Sequence, residues 1–160
     1  MKKNLLIILI MIVGFLFRIS WIGGNSLYGD ELTLVYDAYS ILKTGHDSTG
    51  KFLPITFEMR GGSPGGYVYG AIPFVAIFGP NELGIRSLSI LSGIGIVILL
   101  YFLGSSLFSE KVGIWGALIA AISPWEISLS RGGYETHFAI FLALLGTLFF
   151  VLDILRLRFF

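Results

Sequence analysis

The 160-residue chain is 55% apolar and 13% charged, with a mean hydropathy of +0.85. Soluble domains carry about a quarter charged residues, so the composition is that of a polytopic membrane protein. The net charge of +1 gives no electrostatic footprint for nucleic acid, and the absence of cysteine excludes disulfides, thiolate metal sites and cysteine nucleophiles. The 21 glycines and 14 phenylalanines suit close helix–helix packing and an aromatic membrane-facing surface.

In chain order, Lys2-Lys3 precedes an apolar segment from Asn4 to Ile22. It has the basic start and apolar middle of a signal peptide but no small-residue cleavage site, and Arg18 and Trp21 close it as interfacial anchors would. The reading is an uncleaved first transmembrane helix with a cytoplasmic N-terminus.

Gly23-Gly24-Asn25 breaks this helix, and Tyr28-Gly29-Asp30-Glu31 then places adjacent carboxylates where the chain leaves the bilayer. A general base acting on a lipid-borne substrate would need that position. Alternatively, Asp30 N-caps the next helix and Glu31 favours its positive end. From Glu31 to Lys43, Leu34, Val35, Ala38, Ile41 and Leu42 recur at helical spacing, which predicts an amphipathic helix along the membrane surface. Asp37 falls on nearly the same face as Asp30, and Thr44-Gly45 ends the helix. His46 and Asp47 are expected to be solvated in a polar loop tip.

Phe57-Glu58 precedes Arg60 and the glycine- and proline-rich run Gly61 to Gly66, which predicts irregular backbone. Glu58 reads as a site acid or as a loop acid paired with Arg60. The apolar run Tyr67 to Phe78, with Pro73 in its middle, is short of the roughly 20 residues a crossing needs and is expected to be a surface or re-entrant helix. Further crossings are expected over about 83–103, 112–128 and 136–154, with Pro124 positioned to kink the second of these.

Four crossings (4–22, 83–103, 112–128, 136–154) leave Lys2, Lys3, Lys111, Arg156 and Arg158 on the cytoplasmic side, as the positive-inside tendency favours. The opposite face then collects Asp30, Glu31, Asp37, Glu58, Arg60, Arg86, Arg131, Glu135 and His137, mostly in the outer loop 23–82. Taken singly, Arg86 can snorkel, Arg131 and Glu135 can pair at i,i+4, and Trp125 with Glu126 can be an interfacial anchor and its neighbour. Together they suit a carboxylate that deprotonates an acceptor while cations hold an anionic, lipid-bound leaving group.

This arrangement resembles the N-terminal part of the GT-C membrane glycosyltransferases, in the protein O-mannosyltransferase and aminoarabinose-transferase branch. It is carried by the acidic pair after the first helix, the surface helix, Phe57-Glu58, Ser63-Pro64-Gly65-Gly66-Tyr67 and Ser130-Arg131 followed by Glu135. The resemblance implies an all-α, GT-C-like membrane fold in which the chain is an N-terminal part. It implies a glycosyltransferase that moves a sugar from a polyprenyl-phosphate donor to a hydroxyl of lipid, glycan or protein, with inversion, on the extracytoplasmic face of a prokaryotic plasma membrane. Asp30 falls on the catalytic base, with Glu31 its motif partner, and Arg131 falls near the donor phosphate, with Arg60 and Arg86 as further candidates. Asp37, Tyr67 and Glu135 are additional site candidates, and Glu58 falls on a ligand of a divalent metal. Membrane lipids are expected partners and nucleic acid is not. The competing readings are a non-catalytic assembly subunit and a transporter component, the latter predicting ionisable residues at mid-membrane.

Overall fold

The computed structural model describes residues 2–20, 22–24, 26–27, 29–58 and 63–157, without the side chains of 2, 3, 63, 156 and 157. Among the described residues, seven helices run in the order α1 (Lys2–Ile19), α2 (Asp30–Thr44), α3 (Gly66–Phe78), α4 (Glu82–Leu107), α5 (Glu110–Ile122), α6 (Pro124–Arg131) and α7 (Glu135–Leu157). Between α2 and α3, the two-residue strands β1 (Thr56–Phe57) and β2 (Ser63–Pro64) pair antiparallel, Thr56 with Pro64 and Phe57 with Ser63. That small ribbon is the exception in an otherwise all-α fold.

Among the described residues, α4 and α7 are long and apolar enough to cross a membrane alone; α5 and α6 make a third crossing when counted as one element bent by 55°. The expected first crossing corresponds to α1, whose 18 residues span about 27 Å at 1.5 Å each, just under a hydrocarbon core of about 30 Å. The bend between α5 and α6 falls at Ser123-Pro124. Proline has no N–H to continue the α5 ladder, and the Ser123 hydroxyl accepts from the Glu126 N–H to start α6 afresh.

The central helix is α4. It packs on α3, α5 and α7, and half of its apolar window is buried, against 6% for α7, whose apolar face is turned outward. The α4–α5 hairpin closes through glycine: a Cβ on Gly104 would lie 2.8 Å from the Gly113 Cα, so the two backbones touch directly. Ile10, Val97, Ala117, Ala120 and Ala121 form a core between α1, α4 and α5.

A second core joins α2 and α3 to the start of α4. The predicted stripe of α2 is buried at Leu34, Val35, Ala38 and Ile41 against Tyr67, Val68, Ala71, Val75, Ile85 and Phe57, while Leu42 stays 36% exposed. Each fully buried aliphatic side chain stabilises by about 1.5–3 kcal/mol, so this packing fixes α2 against the bundle. Gly45, in the left-handed region at φ 73°, ends α2 by donating its N–H to the Ile41 carbonyl.

Two expectations are corrected here. Arg18 is not an interfacial anchor: it is completely buried, bonded to α5 and α6. Asp47 is not solvated; its carboxylate accepts from the N–H groups of Thr49 and Lys51 and from the Thr49 hydroxyl, which folds the loop around it. His46 is exposed, as expected, and its ring packs edge-on against Phe52 and bonds the Thr44 carbonyl. Trp21, the other expected anchor, lies outside the described residues.

Candidate functional site

The end of the bundle bearing α2 and α3 carries most of the predicted site residues, and the structure gives them different jobs. Gly29, at φ 55°, is the N-cap of α2, with no side-chain cap bond, so Asp30 is not the N-cap. Asp30 lies in the first helical turn, exposed, and opens on a cleft of about 240 Å³ lined by Gly29, Asp30, Glu31 and Tyr134.

Glu31, its neighbour, turns inward. Both of its carboxylate oxygens meet Arg86, Nε to Oε1 at 2.8 Å and a terminal nitrogen to Oε2 at 2.7 Å, and the two side chains are 9% and 5% exposed. The Gly133 N–H donates to the same Oε1 at 2.7 Å, and Arg86 also donates to the Ile22 carbonyl at 2.6 Å. One carboxylate therefore ties α2 to α4 and to the α6–α7 corner, which supplies Tyr134 as the far wall of the Asp30 cleft. Arg86 is thus not a snorkelling helix-end residue. Its guanidinium is committed beneath the cleft, out of reach of a phosphate unless the Glu31 pair breaks.

The α6–α7 corner is also anchored to α1. Arg131 donates to the Phe17 carbonyl from two nitrogens, at 3.1 and 2.7 Å, and to the Ser20 hydroxyl at 2.7 Å. Glu135 opens α7 after the turn at 132–134, so it and Arg131 do not lie on one continuous helix. Below the corner, Arg18 spans from α1 to α5 and α6. It donates to the carbonyls of Gly14, Ala120 and Ala121 and, through Nε, to the Ser130 hydroxyl at 3.1 Å. Because Pro124 has no N–H, the Ala120 carbonyl has no helical partner, and Arg18 supplies one. His137, fully buried, meets Glu126 through Nε2 at 3.1 Å. Sequence reasoning missed Arg18, Glu126 and Ser130 as a group; the proline break, which strips a carbonyl of its donor, was the signal that one must come from elsewhere.

The remaining candidates are dispersed. Asp37 is buried and accepts from the Ser48 N–H and hydroxyl, holding the 46–50 loop onto α2. The Tyr67 hydroxyl donates to the Ile85 carbonyl at 2.7 Å beside Ser89, and burial pushes its pKa up, so it stays protonated. Tyr67 and Glu135 share a groove of about 410 Å³ with Pro64, Thr136, Phe138 and Leu142. Glu58 is exposed and pairs with Lys51; Arg60, its expected partner, and Tyr28 lie outside the described residues. Among the described residues no three His, Asp or Glu side chains converge, so Glu58 faces a cation where a metal site would need more oxygen ligands.

Residues 66–158 match the family model described as dolichyl-phosphate-mannose-protein mannosyltransferase. No curated protein and no solved structure matches the chain. The match covers more than half of the sequence, and the chain belongs to that family of glycosyltransferase-type membrane proteins. Asp30, Glu31, Asp37 and Glu58 precede the matched segment, whereas Tyr67, Arg86, Arg131, Glu135 and His137 lie within it.

Proposed function

We propose that this member of the dolichyl-phosphate-mannose-protein mannosyltransferase family transfers a sugar from a polyprenyl-phosphate donor to an acceptor hydroxyl, inverting the anomeric carbon, with Asp30 as general base. The reading places the cleft on the extracytoplasmic side, where the positive-inside tendency puts α2. The observation that carries it is the division of labour in the acidic pair. Glu31 is consumed by a buried ion pair, whereas Asp30, one residue earlier, is presented on an exposed cleft with a fixed floor and wall.

In this mechanism Asp30 takes the proton from the acceptor hydroxyl as its oxygen attacks the anomeric carbon from the face opposite the phosphate. The new C–O bond forms as the bond to phosphate oxygen breaks, and the polyprenyl phosphate leaves with the electron pair. No separate acid is needed, since the phosphate is already a good leaving group. Of the three arginines considered, Arg131 best suits charge stabilisation there: it is part-exposed and fixed at the corner by α1. The described residues do not build a metal site around Glu58, and no step here uses one.

The test is sugar transfer from a labelled polyprenyl-phosphate donor in membranes. Asp30→Asn should lower turnover by about 10²–10⁴-fold at unchanged abundance and insertion. Undiminished transfer in the mutant removes Asp30 from the mechanism.

A further inference from the structure

Beneath the Asp30 cleft lies a group of buried polar side chains that the proposed chemistry does not use. Arg18 of α1, Ser130 and Glu126 of α6 and His137 of α7 connect in sequence. Arg18 Nε donates to the Ser130 hydroxyl, that hydroxyl donates to the Glu126 carbonyl at 2.7 Å, and the Glu126 carboxylate meets His137 Nε2. Arg18, Ser130 and His137 are each completely buried. The group is close-packed as well. On α4, a Cβ added to Gly93 would lie 2.7 Å from Arg18 Nε and 3.0 Å from His137 Cε1, so only glycine lets α4 approach it.

The Glu126 carboxylate can only accept, so His137 donates to it through Nε2–H, and Nδ1 has no partner among the described residues. His137 therefore holds α6 to α7 by one bond, while Arg18 holds α6 and the end of α5 to α1. Between these two ties lies the corner 131–134, whose Gly133 N–H grips Glu31 and whose Tyr134 walls the cleft.

We infer that Arg18, Ser130, Glu126 and His137 form a buried joint that sets the bend between α5 and α6, and that they are positioning residues for the cleft above. Their role in turnover rests on the reading of Asp30 as the base; their role in holding the corner does not.

The chain has no cysteine, so Tyr134→Cys gives these 160 residues one thiol for a nitroxide label, read by its line shape in this chain in membranes. The label should be immobilised in the otherwise native chain and in His137→Gln, whose amide nitrogen still reaches Glu126. It should become several-fold more mobile in His137→Leu and in Ser130→Ala, which cut the joint at opposite ends. In chains keeping Tyr134, His137→Leu and Ser130→Ala should lower kcat about 10- to 100-fold with KM for the donor changed less than threefold, and His137→Gln should restore turnover. An immobile label in both cutting variants at native insertion overturns the joint. A loosened corner with native kcat overturns the positioning role. Absence of transfer in the native chain refutes the proposed function while the label still decides whether the joint exists.

Discussion

Breaking the Glu31–Arg86 pair is the most informative perturbation of the fold, because one carboxylate there holds three elements. In Glu31→Gln the volume is kept, but the Arg86 guanidinium loses a charged, bidentate partner at 2.7–2.8 Å and stays buried, still donating to the Ile22 carbonyl. With both side chains under a tenth exposed, the pair is screened little by water, and stranding one charge costs about 3–5 kcal/mol. For a chain of this size each kcal/mol moves the midpoint by about 2–4 °C, so unfolding should shift down by roughly 6–20 °C. Removing both charges, in Glu31→Gln with Arg86→Gln, takes away the stranded cation and should recover about 1–3 kcal/mol relative to the sum of the single changes. Thermal unfolding in lipid nanodiscs, followed by the fluorescence of the three tryptophans, reads all four corners of the cycle. A shift below about 3 °C for Glu31→Gln, or strictly additive single effects, would show that the pair is not the tie between α2, α4 and the corner.

Three further outcomes follow from the packing. Gly113→Ala places a Cβ on the Tyr101 carbonyl and Ser105 hydroxyl and should destabilise the α4–α5 hairpin by about 1–3 kcal/mol, whereas Gly146→Ala on α7, with nothing within 4 Å, should be neutral or stabilising in the same unfolding assay. Asp37→Ala removes the acceptor of both Ser48 bonds and should speed amide exchange at Ser48, leaving the α4–α5 core unchanged. Burial pushes the Asp47 carboxyl up, but the bonds from Thr49 and Lys51 outweigh it and hold its pKa below the ordinary value. A depressed pKa stabilises above the unfolded value of about 3.9. Exchange at Thr49 and Lys51, corrected for intrinsic rate, should therefore be slow at neutral pH and accelerate as pH falls below about 4; protection that persists well into acid would refute the capping role.

What was legible in the sequence was local. The stripe Leu34, Val35, Ala38 and Ile41 predicts the buried face of α2 because a helix repeats every 3.6 residues whatever it packs against. The end at Gly45 and the break at Pro124 follow from backbone chemistry at a single residue. The loop around Asp47 was misread because a polar tip looks the same whether its aspartate faces water or gathers its own backbone N–H groups. Arg18 was misread for a similar reason. Its partners on α5 and α6 lie more than 100 residues away, and an arginine closing an apolar run has the same hydropathy whether it snorkels or is buried.

The arginines show why charge convergence at a membrane surface needs the structure before it is given a function. Arg18 donates to carbonyls of Gly14, Ala120 and Ala121, Arg131 to Phe17, and Arg86 to Ile22. Apart from that of Gly14, these carbonyls lie in the last turns of α1 and α5 or just beyond, where a helix leaves acceptors without donors and its dipole is negative. In hydrocarbon each such acceptor is costly. A side chain with five N–H donors meets several at once, which explains much of why cations gather at this level without any substrate. The acids divide differently. Glu31 offsets Arg86, Asp37 and Asp47 close loops, and Glu126 closes the joint with His137. Asp30 sits exposed in the first turn of α2, where the helix dipole favours a carboxylate, and it opens on the cleft lined by Glu31 and Tyr134. A base held there, beside a buried ion pair tied to α4 and to the α6–α7 corner, is where a reaction gains most from rigid placement.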